Sequence, residues 1–566
     1  MERILIPSPR RIRWGEGSFD LGGRNAGRIA SGDGPVSGFS LTLGEPPACE
    51  APEGADAYAL RVTPRGLQLQ ARDEAGLFYG LQTLAQLEEG GKLPVVEIDD
   101  WAAVPLRMVH WDLKGYLPRF EVLCEELRIL ASYKINAILL ELEDKYDFAS
   151  APGIAVEGAY TRAQLRELSV LAGSLHIRIV PKLQSIAHVD YILKHDAYRA
   201  MRENGHIFQY CPCDEAAQAL WEAMAAELME CFAEHRGYFH IGADESGYLG
   251  ECPRCAKLGK AGSYLKKVGA CADFVCAQGW TPVMWDDIVR NAGGTFTPQE
   301  EAQLRESLGQ KAVLMYWAYG YGGRNNVFPY VDEFRDAGLR VWGASGYSGC
   351  DNWAGSLPPL EIRAQNLDAW AETAREKGLE CLCATGWTRI GSADCPAEPQ
   401  EGSWFTILYA AQTMWSGCGA DCRTFADAVF RRFYGAEPED ALTDAVLNIG
   451  AHPYAGETGE GTSRLDLLRV LAALESLEGR RKRLLNYFQY YDGKLGDALE
   501  DYRLTMLKKY AAQQARELEA LRARAQTVLE AYYEPVTVRE VLHSRFAYLK
   551  RLNQTLSDLL SRTREL

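Results

Sequence analysis

From residue 101 to about residue 430 the chain repeats one unit, a short apolar run followed by an amphipathic segment at helical spacing. The runs are Met108-Val109-His110-Trp111, Ala137-Ile138-Leu139-Leu140, Ile177-Arg178-Ile179-Val180, Tyr238-Phe239-His240-Ile241, Val283-Met284-Trp285, Val313-Leu314-Met315-Tyr316-Trp317, Arg340-Val341-Trp342 and Cys381-Leu382-Cys383-Ala384-Thr385. Helical stretches from Phe120 to Tyr133 and from Thr161 to Leu175 follow the first two. Strand-helix units repeated in this way predict an α/β fold, a closed parallel (β/α)8 TIM barrel. A doubly wound open sheet is the alternative, but no Gly-rich phosphate loop follows the first strand.

The rhythm differs on either side of this region, and 566 residues are too many for one core. Residues 1–100 read as a small α+β domain. Its strands are Leu41–Leu43, Tyr58–Val62 and Leu67–Gln70, and Asp73 is a candidate cap for a helix with Leu77, Leu81 and Leu84 on one face. Residues 101–430 form the barrel domain. Residues 431–566 read as an α-helical C-terminal domain, in which Leu518, Leu521, Ala525 and Val528 recur at helical spacing. That stripe is core or a subunit contact, and the helices are open to three roles: capping the cleft, packing on the barrel, or joining two chains as a homodimer.

A formal net charge of -16 disfavours nucleic acid as a partner, because no basic footprint would release counterions. The stretch Met1–Pro7 has no apolar core of signal-peptide length, and no later segment is long enough to span a bilayer, so no membrane partner is expected. The 15 cysteines follow no framework pattern and read as reduced thiols in a cytoplasm. Cys252-Pro253-Arg254-Cys255 resembles half of a zinc knuckle, and Cys211-Pro212-Cys213 is a candidate for the other half. The spacing departs from common patterns, so reduced structural cysteines and no metal are the expectation. No nucleotide, flavin or haem signature is evident, and no cofactor is expected.

In a barrel of this kind the chemistry sits where strands end. Polar residues gather there: Asp112 after the first run, Asp144 after the second, His188 after the third, Asp244-Glu245 after the fourth, then Asp286-Asp287 and Arg389. The most informative stretch is Phe239-His240-Ile241-Gly242-Ala243-Asp244-Glu245. Adjacent acids repel and burial penalises each charge, so one of the pair is expected to hold a proton near neutrality. A carboxylic acid that keeps its proton is what cleavage of a glycosidic bond needs. Taken alone, the same residues also read as an ordinary strand end with two solvated acids.

Six motifs in order change that balance. His240-Ile241-Gly242-Ala243-Asp244-Glu245 resembles the His-x-Gly-Gly-Asp-Glu signature of the family 20 glycoside hydrolases, the β-N-acetylhexosaminidases. Trp111-Asp112-Leu113-Lys114-Gly115 and Glu141-Leu142-Glu143-Asp144 resemble the first two strand ends of the hexosaminidase D-like branch. Val180 to His188 is similar to the family's third strand, and Trp285-Asp286-Asp287 and Thr385-Gly386-Trp387-Thr388-Arg389 to later ones. The resemblance covers most of residues 73 to 430. Departures are Ala243 for a second Gly, Glu141 for a frequent His, Lys145 for a frequent second Asp, and Arg389 where many members place a Glu.

The resemblance implies an exo-acting hydrolase of terminal β-linked GlcNAc or GalNAc, with an amino-sugar glycoside or glycan terminus as its partner. It implies retention through an oxazolinium intermediate, formed when the substrate's own acetamido oxygen attacks C1. Glu245 would be the acid and then the base. Asp244 would hold the acetamido N–H, and its charge would raise the Glu245 pKa. Arg107 lies at the position of the arginine that binds sugar hydroxyls, and Asp112 belongs to the substrate site. Asp144 and His188 would orient Asp244 or Glu245. Trp285, Trp317 and Trp387 are candidate walls. Tyr347 and Tyr319 compete to reach the acetamido oxygen. Arg389 would either meet an acidic substituent or, by the safer reading, pair with Asp286. Two other readings stay open: a protein nucleophile such as Asp144 or Asp286, and a sugar-binding relic without turnover.

Overall fold

The computed structural model describes residues 4–22, 39–46, 56–320, 326–350, 356–389, 391–392, 394, 396–447, 454, 456–492 and 501–562. Met1 to Arg3, part of the N-terminal stretch read above, lie outside the described residues. The first unit is a five-stranded sheet of β1 (Arg11–Asp20), β2 (Phe39–Leu43), β3 (Ala57–Thr63), β4 (Gly66–Ala71) and β5 (Lys92–Trp101), in the order β1-β5-β3-β4-β2. Neighbours are antiparallel except β2 and β4. The helix Glu74–Leu87 covers one face, and Asp73 caps it by accepting from the Gly76 N–H at 2.8 Å. Gly76 lets that helix approach closely: a Cβ there would lie 2.5 Å from the Ala57 carbonyl oxygen. Tyr79, Leu84 and Leu87 share one core with Leu60, Leu69 and Ile98.

Eight parallel strands then close a barrel: β6 (Leu106–Asp112), β7 (Ala137–Glu141), β8 (Arg178–Lys182), β11 (Tyr238–His240), β12 (Thr281–Trp285), β13 (Val313–Trp317), β14 (Val341–Ser348) and β15 (Cys381–Gly386). The TIM-barrel expectation is met, and the open sheet is ruled out by the pairing of β15 with β6. Alternate residues divide the strands into two cores. Met108, Leu139, Val180, Val283, Met315, Trp342 and Cys383 pack inside the barrel. Val109, Ile138, Ile179, Met284, Leu314 and Leu382 pack outward against the helices. Strands buried on both faces are apolar on consecutive positions, which is why the runs stand out in the sequence. The crossover after β8 also carries a hairpin, β9 (Arg202–Glu203) and β10 (His206–Tyr210), ahead of the helix Glu215–Cys231.

Register brings polar residues together at the strand ends. Asp112 pairs with Glu141, Glu141 with Lys182, and Lys182 with His240. Glu141 Oε2 lies 2.7 Å from Lys182 Nζ and 3.1 Å from His110 Nε2, a buried charge layer directly beneath the loops.

The opposite end of the barrel is fastened to the small sheet. Lys134, fully buried, donates to Asp100 Oδ2 and to the Tyr58 hydroxyl, each at 2.9 Å. Trp415 Nε1 donates to the same Asp100 oxygen at 2.9 Å. Arg107, also fully buried, donates to the carbonyls of Lys134 and Val104 and to Asp56 at 2.7 Å. Its guanidinium lies 4.8 Å from the Trp415 ring centre.

Long helices follow the barrel: Arg464–Asp492, Asp501–Tyr532 and Pro535–Arg562. They pack on it. Arg119 N–H donates to the Tyr532 carbonyl at 2.8 Å, Leu117 N–H to Thr537 Oγ1 at 2.9 Å, and the Tyr116 and Tyr533 rings meet at a tilt, 5.2 Å between centres. Leu518, Leu521, Ala525 and Val528 are buried, so the apolar stripe is core. Among the described residues no helix is long and apolar enough to cross a membrane.

Candidate active site

β11 ends at His240, and the backbone then turns through positive φ at Gly242 (65°), Ala243 (77°) and Glu245 (47°). A Cβ on Gly242 would meet Gln184 Oε1 at 1.8 Å, so only glycine fits there. Ala243 carries a methyl group in a region that costs an L-residue roughly 1–2 kcal/mol. The turn is held from several sides. Gly242 N–H donates to His240 Nδ1 at 3.0 Å, Trp285 N–H to the Gly242 carbonyl at 3.0 Å, and the Tyr264 hydroxyl to the Ala243 carbonyl at 2.7 Å. Strain over-determined in this way is typical of functional sites, and here it presents both carboxylates to one cavity.

That cavity is a partly open cleft of about 140 Å³. His188, Asp244, Glu245, Trp285, Trp317, Tyr319, Trp387 and Arg389 all line it. Asp244 is nearly buried; its Oδ2 lies 3.5 Å from His188 Nε2, and its Oδ1 has no hydrogen-bond partner. Glu245, with 55% of its side chain exposed, stands at the mouth, its Oε2 3.2 Å from the same His188 nitrogen but off-axis. The His188 ring packs edge-on against Phe208 at 4.6 Å.

These contacts decide where protons sit. Burial pulls the His188 pKa down, but the Asp244 charge and the Glu245 contact outweigh it, so the net shift is upward. The His188 contact in turn holds Glu245 below the ordinary carboxylate range, against burial and with help from Lys114. The sequence argument has Asp244 raising the Glu245 pKa; the structure reverses the direction, because the His188 ring contacts Glu245 directly. The carboxyl that keeps a proton is Asp287 instead. Burial and then the Asp244 charge push it up to about 8, and its Oδ2 accepts the Glu245 N–H at 2.9 Å. Asp286 is raised by burial to about 7, although Arg290 bonds it at 2.6 Å.

The walls are aromatic. Trp285 and Trp387 meet at 5.7 Å between ring centres, Trp317 and Tyr319 stack at 5.3 Å, and the indole N–H groups of Trp285 and Trp387 have no protein acceptor. A sugar ring can stack on such faces while these donors reach its oxygens.

Four expected site residues lie elsewhere. Arg107 sits at the start of β6, at the far rim, with its donors used by the small domain and the 104–134 backbone, so it does not hold sugar hydroxyls. Asp112 lies beneath the cavity, where its carboxylate accepts the Lys114 N–H at 3.0 Å and the Thr388 N–H at 2.8 Å. Asp144 orients neither acid: its partners are Lys145, Lys194 and Arg389. Tyr347 donates its hydroxyl to the His110 carbonyl at 3.0 Å, so of the two tyrosines Tyr319 is the one on the cavity. Arg389 does find protein carboxylates, but they are Asp144 at 3.7 Å and Glu540 at 3.4 Å rather than Asp286. Its Nε and Nη2 make no hydrogen bond.

Sequence reasoning passed over Lys114 and Gln184, which also line the cavity. Lys114 lies 4.8 Å from the Trp387 ring centre and 3.6 Å from both Asp112 and Glu141. Burial opposes its charge, and those carboxylates more than restore it, so its pKa is raised. The signal was present, since Lys114 lies inside the first strand-end motif.

Comparison with known proteins gives two family matches, described as glycosyl hydrolase family 20, domain 2, over residues 25–101, and glycosyl hydrolase family 20, catalytic domain, over residues 124–327. Hexosaminidase D of Bos taurus is 29% identical over 300 residues, covering 50% of this chain and 84% of that protein. Hexosaminidase D of Homo sapiens is 27% identical over 307 residues, covering 50% of this chain and 60% of that protein. Among solved structures, the chitobiase of Flavobacterium johnsoniae aligns over 99% of this chain and 93% of its own, with a TM-score of 0.60 at 17% identity, a likeness of fold.

Proposed function

The chain belongs to glycoside hydrolase family 20, on its hexosaminidase D-like side, and from that premise we propose that it is an exo-acting β-N-acetylhexosaminidase releasing terminal β-linked GlcNAc or GalNAc. One observation carries the reading: Asp244 Oδ1, buried on the cavity and without a protein donor, beside Glu245 at its mouth. A buried carboxylate oxygen left unpaired is costly. An acetamido N–H is a donor of the right kind, and binding it would aim the amide oxygen at C1.

In this scheme the substrate supplies the nucleophile, so the protein supplies orientation and proton transfer. Glu245 gives a proton to the leaving oxygen as the C1–O bond breaks and the oxazolinium ring closes. It then takes a proton from the water that reopens the ring, with retention of configuration. Asp244 keeps its charge and balances the positive charge on the ring. His188 touches both carboxylates and is the positioning residue of the pair. Trp285, Trp317 and Trp387 form the walls, Tyr319 reaches toward the acetamido group, and the spare donors of Arg389 meet substrate oxygens.

A protein nucleophile is disfavoured by geometry. Asp144 is held by Lys145, Lys194 and Arg389, and Asp286 is buried against Arg290; neither lines the cavity. Aryl β-GlcNAc, β-GalNAc and β-glucoside substrates test the proposal together. The two acetamido sugars should be cleaved and inhibited by a thiazoline mimic of the cyclic intermediate. Cleavage of the glucoside at a comparable rate would sink substrate assistance.

A further inference from the structure

Outside the cavity, four donor side chains converge from three segments. Glu203 ends β9, Cys211 follows β10, and Cys252 and Cys255 flank Pro253-Arg254 in the loop that leaves Glu245. One ligand atom from each lies within 4.8 Å of every other. Cys211 Sγ is 3.7 Å from Cys252 Sγ and 3.6 Å from Cys255 Sγ, and Cys255 Sγ is 3.3 Å from Glu203 Oε2. A tetrahedral zinc ion with Zn–S bonds of about 2.3 Å separates its sulfurs by about 3.8 Å, so these thiols stand near coordination spacing.

Two further features belong to a ligand set rather than to ordinary core thiols. The Cys255 N–H donates to Cys252 Sγ at 3.4 Å, and Arg254 Nη2 donates to Cys211 Sγ at 3.3 Å, so both sulfurs sit among hydrogen-bond donors. Glu203 is fully buried, accepts the Cys252 N–H at 2.7 Å, and has no Lys, Arg or His ion partner among the described residues. A buried carboxylate without a countercharge is expensive, and a divalent cation would supply one.

We propose that Glu203, Cys211, Cys252 and Cys255 bind one structural zinc-class cation that staples the Glu245 loop to the β9–β10 hairpin. Glu203 takes the fourth place that the sequence offers to Cys213. Binding releases three thiol protons and leaves a doubly negative site facing the Arg254 guanidinium. The staple bears on the acids from two sides. Tyr248, in the same loop, stacks on His206 at 3.9 Å, and Phe208 of the hairpin supports the His188 ring. The metal site rests on its own residues, and only its bearing on Glu245 depends on the function proposed above.

Metal analysis of the untagged full-length chain tests the site directly. The expected result is about one zinc per chain, displaced by a mercurial reagent rather than by brief EDTA treatment. Reduced metal-free chain should take up one Co(II) with thiolate-to-cobalt absorption, a readout that needs no variant to fold. Glu203→Gln should weaken zinc binding at least about tenfold. Less than about a tenth of an equivalent of metal, together with no thiolate–cobalt spectrum, overturns the proposal. Loss of zinc in Cys213→Ser with full retention in Glu203→Gln overturns the ligand set. Metal-loaded chain that hydrolyses no acetamido glycoside would refute the proposed function and leave the zinc site standing.

Discussion

The backbone N–H of Glu245 is bonded to the carboxyl of Asp287, 2.9 Å away across the ends of β11 and β12. Asp287 is the protonated member of the carboxyl cluster, raised to about 8 by burial and by the charge of Asp244. A carboxyl whose folded pKa lies above its unfolded value gives full stabilisation below the unfolded value, lost as pH rises toward the folded one. The unfolded chain ionises this group near pH 4, so stability should decline from there to pH 8, by at most roughly 1.4 kcal/mol per pH unit. Asp287→Asn keeps an acceptor for the Glu245 N–H and removes the titration. Urea melts at pH 5 and pH 8 should show a smaller difference in the variant than in the parent; an equal difference would place the proton elsewhere.

His188 keeps Glu245 below its ordinary pKa, and a general acid works only while protonated. The basic limb of kcat/KM should therefore lie at low pH in the parent. His188→Gln should move that limb to higher pH while lowering the maximum by about 10–100-fold. The check is a pH profile on an aryl acetamido glycoside, and a limb that stays in place would detach His188 from Glu245.

Glu245 and Asp244 should separate by leaving group. Glu245→Gln should lose about 10²–10⁴-fold on a poor leaving group and much less on an activated phenolate, which needs little protonation. Asp244→Asn should lose similarly on both, because the acetamido group must be aimed in either case. Equal losses for Glu245→Gln on the two substrates would remove it from the acid role.

Arg107 predicts the opposite pattern. Arg107→Leu leaves Asp56 and three carbonyls without their donor and should destabilise by about 3–5 kcal/mol. The fraction that stays folded should keep the parental KM. A KM raised tenfold with parental stability would return Arg107 to the substrate site.

The barrel was legible because its strands are apolar on both faces, and the acid pair was legible because it ends one of them. What the sequence hid was distance through space. Arg107 and Asp112 share one strand, yet five residues of extended chain put them about 16 Å apart, on opposite rims. A motif match does not say which rim a residue occupies. Asp287 acts on Glu245 because neighbouring strands end side by side, a relation with no local trace. β9 has only 2 residues and β10 only 5, with no alternation to read, so the supports of His188 went unseen. Charge pairing was equally opaque: that Arg389 would find carboxylates followed from burial, but Asp144 and Glu540 are neighbours only in the folded chain.

The Asp100–Lys134 pair, sealed between the small sheet and the barrel, has a consequence for how the molecule comes apart. Peeling one unit off would strand an ammonium and a carboxylate in half-built cores on both sides of the seam. Melting therefore has no inexpensive intermediate at that seam, and calorimetry of the whole chain should show no separate transition for the small sheet.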